Sequence, residues 1–198
     1  MPSNYPEDYN NIEENNHIAS PYVFPSLFSK KECLEIIELS TKLDAEQALI
    51  GSSKLEDLDT STRNSKIRWM GMDITNQWVF QRVEIAYKRA NAFFKFDVLG
   101  CSYLQITEYP VSGKYDWHED IGEQLISKRK LSISIQLSNP SDYDGGNLEF
   151  INPLPMTNEF RQQGAAIIFP SYLVHRVTAV TRGTRWSLIA WVFGPPFR

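Results

Sequence analysis

Six short runs in the second half of the chain decide its fold: 103–109 (YLQITEY), 130–137 (KLSISIQL), 147–151 (NLEFI), 165–169 (AAIIF), 173–180 (LVHRVTAV) and 185–193 (RWSLIAWVF). Each is rich in the aliphatic, β-branched and aromatic residues that suit a pleated surface. Turn residues separate them: Pro110 with Gly113, Asn139-Pro140, Asp144-Gly145-Gly146 and Arg182-Gly183. Strands that follow helices at such even spacing predict a mainly β chain with some α, a double-sheet jelly roll carrying its N-terminal helices on one face.

The helices lie upstream. Ser29-Lys30-Lys31-Glu32 has the pattern of a capping box, in which the serine hydroxyl and the glutamate carboxylate each satisfy a backbone N–H of the other. A helix is therefore expected to about residue 43, burying Cys33, Leu34, Ile36 and Ile37. A second is expected over about 76–94, where Trp78, Val79, Val83, Ala86, Ala90 and Phe93 recur at spacings of three and four. Between them 50–70 turns polar, with Gly51, paired serines, Asp57, Asp59, Arg63, Asn64, Lys66 and Arg68, and reads as a functional loop. The first residues are rich in Asn, Glu, Asp and Tyr without periodicity, so 1–20 reads as a loosely held arm. The rest, 21–198, reads as one domain whose core spans about 100–198.

Composition narrows the functional classes. A hydrophobic content of 42% with 13% aromatic residues fits a packed core, and a net charge of −4 offers no long-range attraction to nucleic acid. The Lys128-Arg129-Lys130 run reads as a solvated approach to a strand. No apolar run is long enough for a membrane span, and the N-terminus lacks the basic-then-apolar pattern of a leader. Cys33 and Cys101 fall in apolar helix and strand patterns and read as buried free thiols, which suits a reducing, cytoplasmic setting, the host cytoplasm for a viral chain. A monomer or a homodimer is expected.

Histidine is scarce: His17, His118 and His175 are the whole set. His17 falls in the polar arm and reads as solvated. In Trp117-His118-Glu119-Asp120, residues 118 and 120 share one face of an extended segment, so an imidazole and a carboxylate can aim at one point. A second imidazole, His175, arriving from a distant strand would complete a 2-His-1-carboxylate set, which leaves positions open on a non-haem Fe(II). His-x-Asp alone is a weak signal, and a surface turn is the bland alternative.

The surrounding motifs make it specific. Tyr115-Asp116-Trp117-His118-Glu119-Asp120, Leu137-Ser138-Asn139, Tyr143-Asp144-Gly145-Gly146-Asn147-Leu148, Phe169-Pro170-Ser171, His175-Arg176-Val177 and Thr181-Arg182-Gly183-Thr184-Arg185-Trp186-Ser187 follow in order. From about Tyr103 onward the chain resembles the 2-oxoglutarate/Fe(II) dioxygenase superfamily, in particular its prolyl-4-hydroxylase-like branch and the PKHD-type hydroxylases. That resemblance implies a cupin-like double-stranded β-helix, with His118, Asp120 and His175 as iron ligands and Arg185 gripping the distal carboxylate of 2-oxoglutarate. It also implies dioxygen as co-reactant, with ascorbate a further candidate. Arginine's planar fork suits a carboxylate, and Ser187, two residues on, can donate to the same group.

Tyr109 resembles a tyrosine that hydrogen-bonds the cosubstrate in animal prolyl hydroxylases, although its spacing to His118 is one residue shorter; a strand-end aromatic packed on the core is equally open. Tyr103 shares the Gln105, Thr107 and Tyr109 face and is expected to line the barrel. Trp117 and Trp191 read as core or pocket wall, Arg182 as exposed, Arg176 as facing away from His175, and Gly145-Gly146 as a tight turn. The stretches 51–68 and 121–128 are candidate lids. The resemblance implies hydroxylation of an unactivated C–H bond, with peptidyl proline first, and a free amino acid or other small molecule second. A cupin-like metal protein without 2-oxoglutarate, or a non-catalytic binding protein, is the alternative from another class.

Overall fold

The computed structural model of the chain describes residues 15, 17–48, 62–101, 103–152 and 158–197. The capping box forms: Ser29 Oγ accepts from the Glu32 backbone N–H at 3.3 Å, and Glu32 Oε2 accepts from that of Ser29 at 2.7 Å. It starts α1 (Lys30–Thr41), which buries Cys33 and Ile36. The second helix, α2 (Gln77–Phe94), buries Val79, Val83, Ala86 and Ala90 completely. It stops at Lys95, whose φ of 55° is left-handed, because the Asn91 carboxamide bonds both the N–H and the C=O of Phe96. Phe93 sits at the margin of the buried stripe, 41% exposed, with its ring 4.9 Å from that of Tyr22.

The strands are β1 (Tyr22–Phe24), β2 (Glu46–Gln47), β3 (Arg63–Asn64), β4 (Lys66–Met70), β5 (Leu104–Tyr109), β6 (Lys114–His118), β7 (Arg129–Gln136), β8 (Tyr143–Gly145), β9 (Leu148–Phe150), β10 (Ala166–Pro170), β11 (His175–Val177), β12 (Val180–Gly183) and β13 (Arg185–Phe193). They pair antiparallel into a seven-stranded sheet β1-β10-β7-β13-β5-β4-β2, a four-stranded sheet β3-β6-β11-β9 and the pair β12-β8. This is a double-stranded β-helix with its helices on one face.

Two readings are corrected. The described part of 50–70 is not a loop: β4 pairs with β5 along its whole length, and Arg68 is neutralised there by Glu108 at 2.9 Å. Residues 49–61, with Gly51, Asp57 and Asp59, lie outside the described residues. The run 173–180 splits between two sheets, because Thr178 leaves the ladder to exchange hydrogen bonds with Asn147.

The large sheet has two unlike faces, and this positions the site. Leu104, Ile106, Leu131, Ile135, Leu188 and Ala190 point to the helices and form the main core. Alternate residues Gln105, Thr107, Ser132, Ser134, Gln136, Arg185 and Ser187 point the other way and are buried as well. On that side a second apolar cluster joins Tyr109, Ile167 and Phe169 of the large sheet to Leu148, Phe150 and Val177 of the small one. The polar row therefore faces the interior of the barrel instead of water.

Candidate metal centre

β6 and β11 are antiparallel neighbours in which His118 and His175 are direct register partners, with ring centroids 4.2 Å apart. Each ring is pinned in the same way. His118 Nδ1 lies 2.7 Å from the Asp116 carbonyl and His175 Nδ1 lies 2.8 Å from that of Leu173. A carbonyl only accepts, so Nδ1 carries the hydrogen in both rings and each Nε2 presents its lone pair to the site. Asp120 follows the end of β6 and is fixed by its backbone N–H donating to the Ser171 carbonyl at 2.9 Å.

The Asp120 oxygens stand 3.8 Å from His118 Nε2 and 3.7 Å from His175 Nε2, beyond hydrogen-bonding reach. All three donor atoms lie within 4.8 Å of one another. Two imidazoles and a carboxylate thus converge without satisfying each other, which a divalent cation would resolve.

Electrostatics prepare the ligands. Burial, and then the neighbouring His175, push His118 down to about 4, so it is a neutral donor at physiological pH. Burial alone would raise the Asp120 carboxyl, but the two imidazoles and the Ser132 hydroxyl hold it below its ordinary value, and it stays ionised. Ser132 in turn lies 3.0 Å from the Ser171 hydroxyl, and Arg129 Nη1 donates to the Asp120 carbonyl at 3.1 Å. The Tyr115 ring stacks on His118, centroids 3.5 Å apart.

The triad opens on a cavity of about 460 Å³, also lined by Tyr109, Tyr115, Arg129 and Trp191. Arg185 and Ser187 share a face of β13 with Ile189 and Trp191; the latter two line this cavity, whereas Arg185 and Ser187 lie behind its wall. Arg185 is 1% exposed. Its Nε and Nη2 donate to a single oxygen, Gln136 Oε1, at 3.2 and 2.9 Å, and Nη1 makes a long contact of 3.4 Å with Ser187 Oγ. Tyr109, its register partner on β5, places its ring 5.2 Å from the guanidinium carbon. Among the described residues no carboxylate pairs with Arg185.

Gly146 completes this corner. It has a φ of 59°, and a Cβ there would come within 2.8 Å of Arg185 Cδ. Gly145, with φ 73°, would drive a Cβ into the Ala179 carbonyl, so the pair is the tight turn expected.

Several expected residues stand elsewhere or do more than expected. Tyr103 is not brought to the cavity: it precedes β5, escapes the ladder's alternation and is 60% exposed. Trp117 is not core; it is 40% exposed, with the Arg176 guanidinium 4.5 Å above its ring. Arg176 faces away from the site to Glu149, and Arg182 pairs with Asp144 at the surface. The basic run is not simply solvated either. Arg129 packs 3.9 Å over Trp191, and Lys130, 4% exposed, sets Nζ 3.3 Å from the Phe197 ring centroid. Gln136 and Ser132 join the site from outside the motifs, visible in the sequence as polar residues alternating along a strand whose other face is apolar, and Tyr115 joins it from within the His118 motif.

Residues 104–193 match the family model of the 2OG-Fe(II) oxygenase superfamily. Over that segment the chain is similar to this superfamily. Among similar proteins, a PKHD-type hydroxylase of Shewanella frigidimarina is 34% identical over 96 residues, covering 42% of this chain and 40% of that protein. One from a Synechococcus strain is 32% identical over 93 residues, 45% of this chain and 42% of the relative. The chain thus spans about two fifths of the length of these relatives. Among solved structures, a Pseudomonas putida prolyl-4-hydroxylase superposes with a TM-score of 0.68 at 17% identity, covering 89% of this chain and 94% of that one. A Trichoplax adhaerens prolyl hydroxylase, solved with a hypoxia-inducible-factor peptide fragment, gives 0.70 at 18%, covering 89% and 84%. At these identities the superpositions establish the double-stranded β-helix.

Proposed function

We propose that this chain is a Fe(II)- and 2-oxoglutarate-dependent hydroxylase whose substrate is a peptidyl proline. The observation that carries the cosubstrate is Arg185: a guanidinium removed from water with only neutral partners is costly unless an anion joins it. A dicarboxylate that reaches from the triad to Arg185 satisfies both ends. The donor set suits Fe(II), and the neutral His118 and ionised Asp120 need give up no further proton to bind it.

The cavity wall supports the prolyl reading. Trp191, Tyr115, Ile126 and Val177 give the cavity wall apolar carbon against which a ring without polar atoms can pack. The Trichoplax neighbour carries a peptide, which fits.

When bound, iron with 2-oxoglutarate and dioxygen supplies the power to convert C–H to C–OH, with succinate and carbon dioxide as coproducts. The chain does the rest by placement. His118, Asp120 and His175 would hold the ion, Arg185 with Ser187 would orient the dicarboxylate, and Trp191 and Tyr115 would exclude water from the C–H bond.

Anaerobic titration with Fe(II) and 2-oxoglutarate tests the first half, through the metal-to-ligand charge-transfer band that should appear in the wild type and vanish in His175→Ala. Iron binding with a spectrum indifferent to 2-oxoglutarate would refute it and leave a cupin-like metal protein. A peptide array scored for gain of one oxygen atom tests the second; oxygen transfer to free amino acids alone would replace the peptide substrate by a small one.

A further inference from the structure

Resting on the 2-oxoglutarate reading above, we infer that Gln136 is the positioning residue for Arg185: it fixes the plane of the guanidinium fork and, being neutral, leaves its charge for the cosubstrate. A guanidinium has five N–H donors. Gln136 Oε1 takes the Nε donor and one from Nη2, and Ser187 takes one from Nη1. Two remain, one on each terminal nitrogen, which is the number a carboxylate needs to be held bidentately. Without Gln136 the fork could turn about its stem and offer either edge; with it, one edge is spent and the other is presented.

The backbone that carries the carboxamide is itself held in place. Gln136 is 2% exposed, sits opposite Ser187 in the β7·β13 ladder, and its backbone carbonyl accepts from the Gly164 N–H at 2.7 Å while its own N–H donates to Ala165. A glutamate here would fill the same space but form an internal ion pair with Arg185, consuming the charge an incoming carboxylate needs. The choice of amide over acid is what keeps this pocket open to a dianion.

Two variants of the full chain separate this role from simple packing. In Gln136→Glu, calorimetric titration of the anaerobic Fe(II) protein should show 2-oxoglutarate affinity reduced on the order of a hundredfold, with iron affinity unchanged. The loss should shrink as pH falls and the new carboxyl takes up a proton, whereas the wild type shows no such recovery. In Gln136→Leu the fork is released and the charge retained, so the KM for 2-oxoglutarate should rise roughly tenfold while the KM for the oxidised substrate stays the same. Where Gln136→Glu does not fold, the Gln136→Leu titration decides alone. If both variants bind 2-oxoglutarate like the wild type, or lose iron and 2-oxoglutarate equally, Gln136 only fills space and the inference falls. If the wild type itself binds no 2-oxoglutarate, the cosubstrate reading fails first.

Discussion

Replacing Gly146 by alanine tests whether Arg185 is placed by its surroundings or merely present. Two costs add. A non-glycine residue at φ 59° sits in the left-handed region, worth about 1 kcal/mol. Its Cβ would also stand 2.8 Å from Arg185 Cδ and 3.0 Å from Val180 Cγ2, and overpacking of that kind costs about 1–3 kcal/mol. Together they give about 3 kcal/mol, or roughly 6–12 °C in Tm for a domain of this size. The relief available is movement of the Arg185 stem, which tilts the fork off Gln136. The loss should therefore appear in 2-oxoglutarate affinity, about tenfold or more, and not in iron affinity. The control is Gly194→Ala at the far end of the same strand, where a Cβ would meet the Asp97 carbonyl at 2.0 Å. It should lower Tm and leave 2-oxoglutarate binding intact. Calorimetry of the two Fe(II)-loaded variants, beside their melting curves, reads both quantities. Equal 2-oxoglutarate affinity in the two, at comparable loss of Tm, would refute the argument.

Other perturbations act on separate parts of the site. Ser132→Ala removes a donor that holds Asp120 and should weaken Fe(II) binding by about 10–100-fold in an equilibrium titration, with little change in fold. Arg129→Gln should raise the KM for a peptide by on the order of tenfold, since this guanidinium faces the Trp191 side of the cavity, and should also weaken Fe(II) binding in the same titration, since its Nη1 holds the Asp120 carbonyl. For acid stability, the His118 side chain is held at about 4 in the folded chain against an ordinary 6.5, so below pH 6.5 the unfolded chain takes up a proton that the native one refuses. The metal-free protein should accordingly lose stability as pH drops from about 6.5 to about 4, and Tm measured across that window should fall less steeply in His118→Gln. A flat wild-type profile would contradict the burial argument.

The sequence shows most plainly what rests on spacing. His118 and Asp120 are two apart at a strand end, Gly145-Gly146 needs positive φ, and five of the six apolar runs fall on their strands to within one residue, 173–180 being the one that splits. What stayed hidden depends on partners far along the chain. Lys66–Met70 looks like loop because Arg68 is charged, yet Glu108 on the next strand neutralises it. Arg129 and Lys130 look solvated because nothing local announces Trp191 or Phe197 as their cover. Tyr103 fails in the opposite sense: alternation from Gln105 would point it inward, but it lies one residue beyond the ladder that enforces the pattern.

The two halves of the site belong to different sheets, and that division explains why neither half alone is informative. The triad is assembled by one ladder, β6 against β11, in the four-stranded sheet. The cation and its holders are assembled by another, β13 against β7 and β5, in the seven-stranded sheet. Each ladder fixes its own side chains through register, and the apolar packing of Phe150 and Val177 with Phe169 and Tyr109, beside the hydrogen bonds of Asp120 to Ser171 and Arg129, fixes one ladder relative to the other. A molecule with a chelating end and a carboxylate end measures that inter-sheet separation directly. Thinning the shared cluster, as in Phe150→Ala, should therefore cost about 3–5 kcal/mol as a cavity. It should also impair 2-oxoglutarate binding more than monodentate acetate, which needs only the Arg185 end. Equal losses for the two ligands would mean that the sheets hold their spacing without this cluster, and that the separation is set by the strand crossings instead.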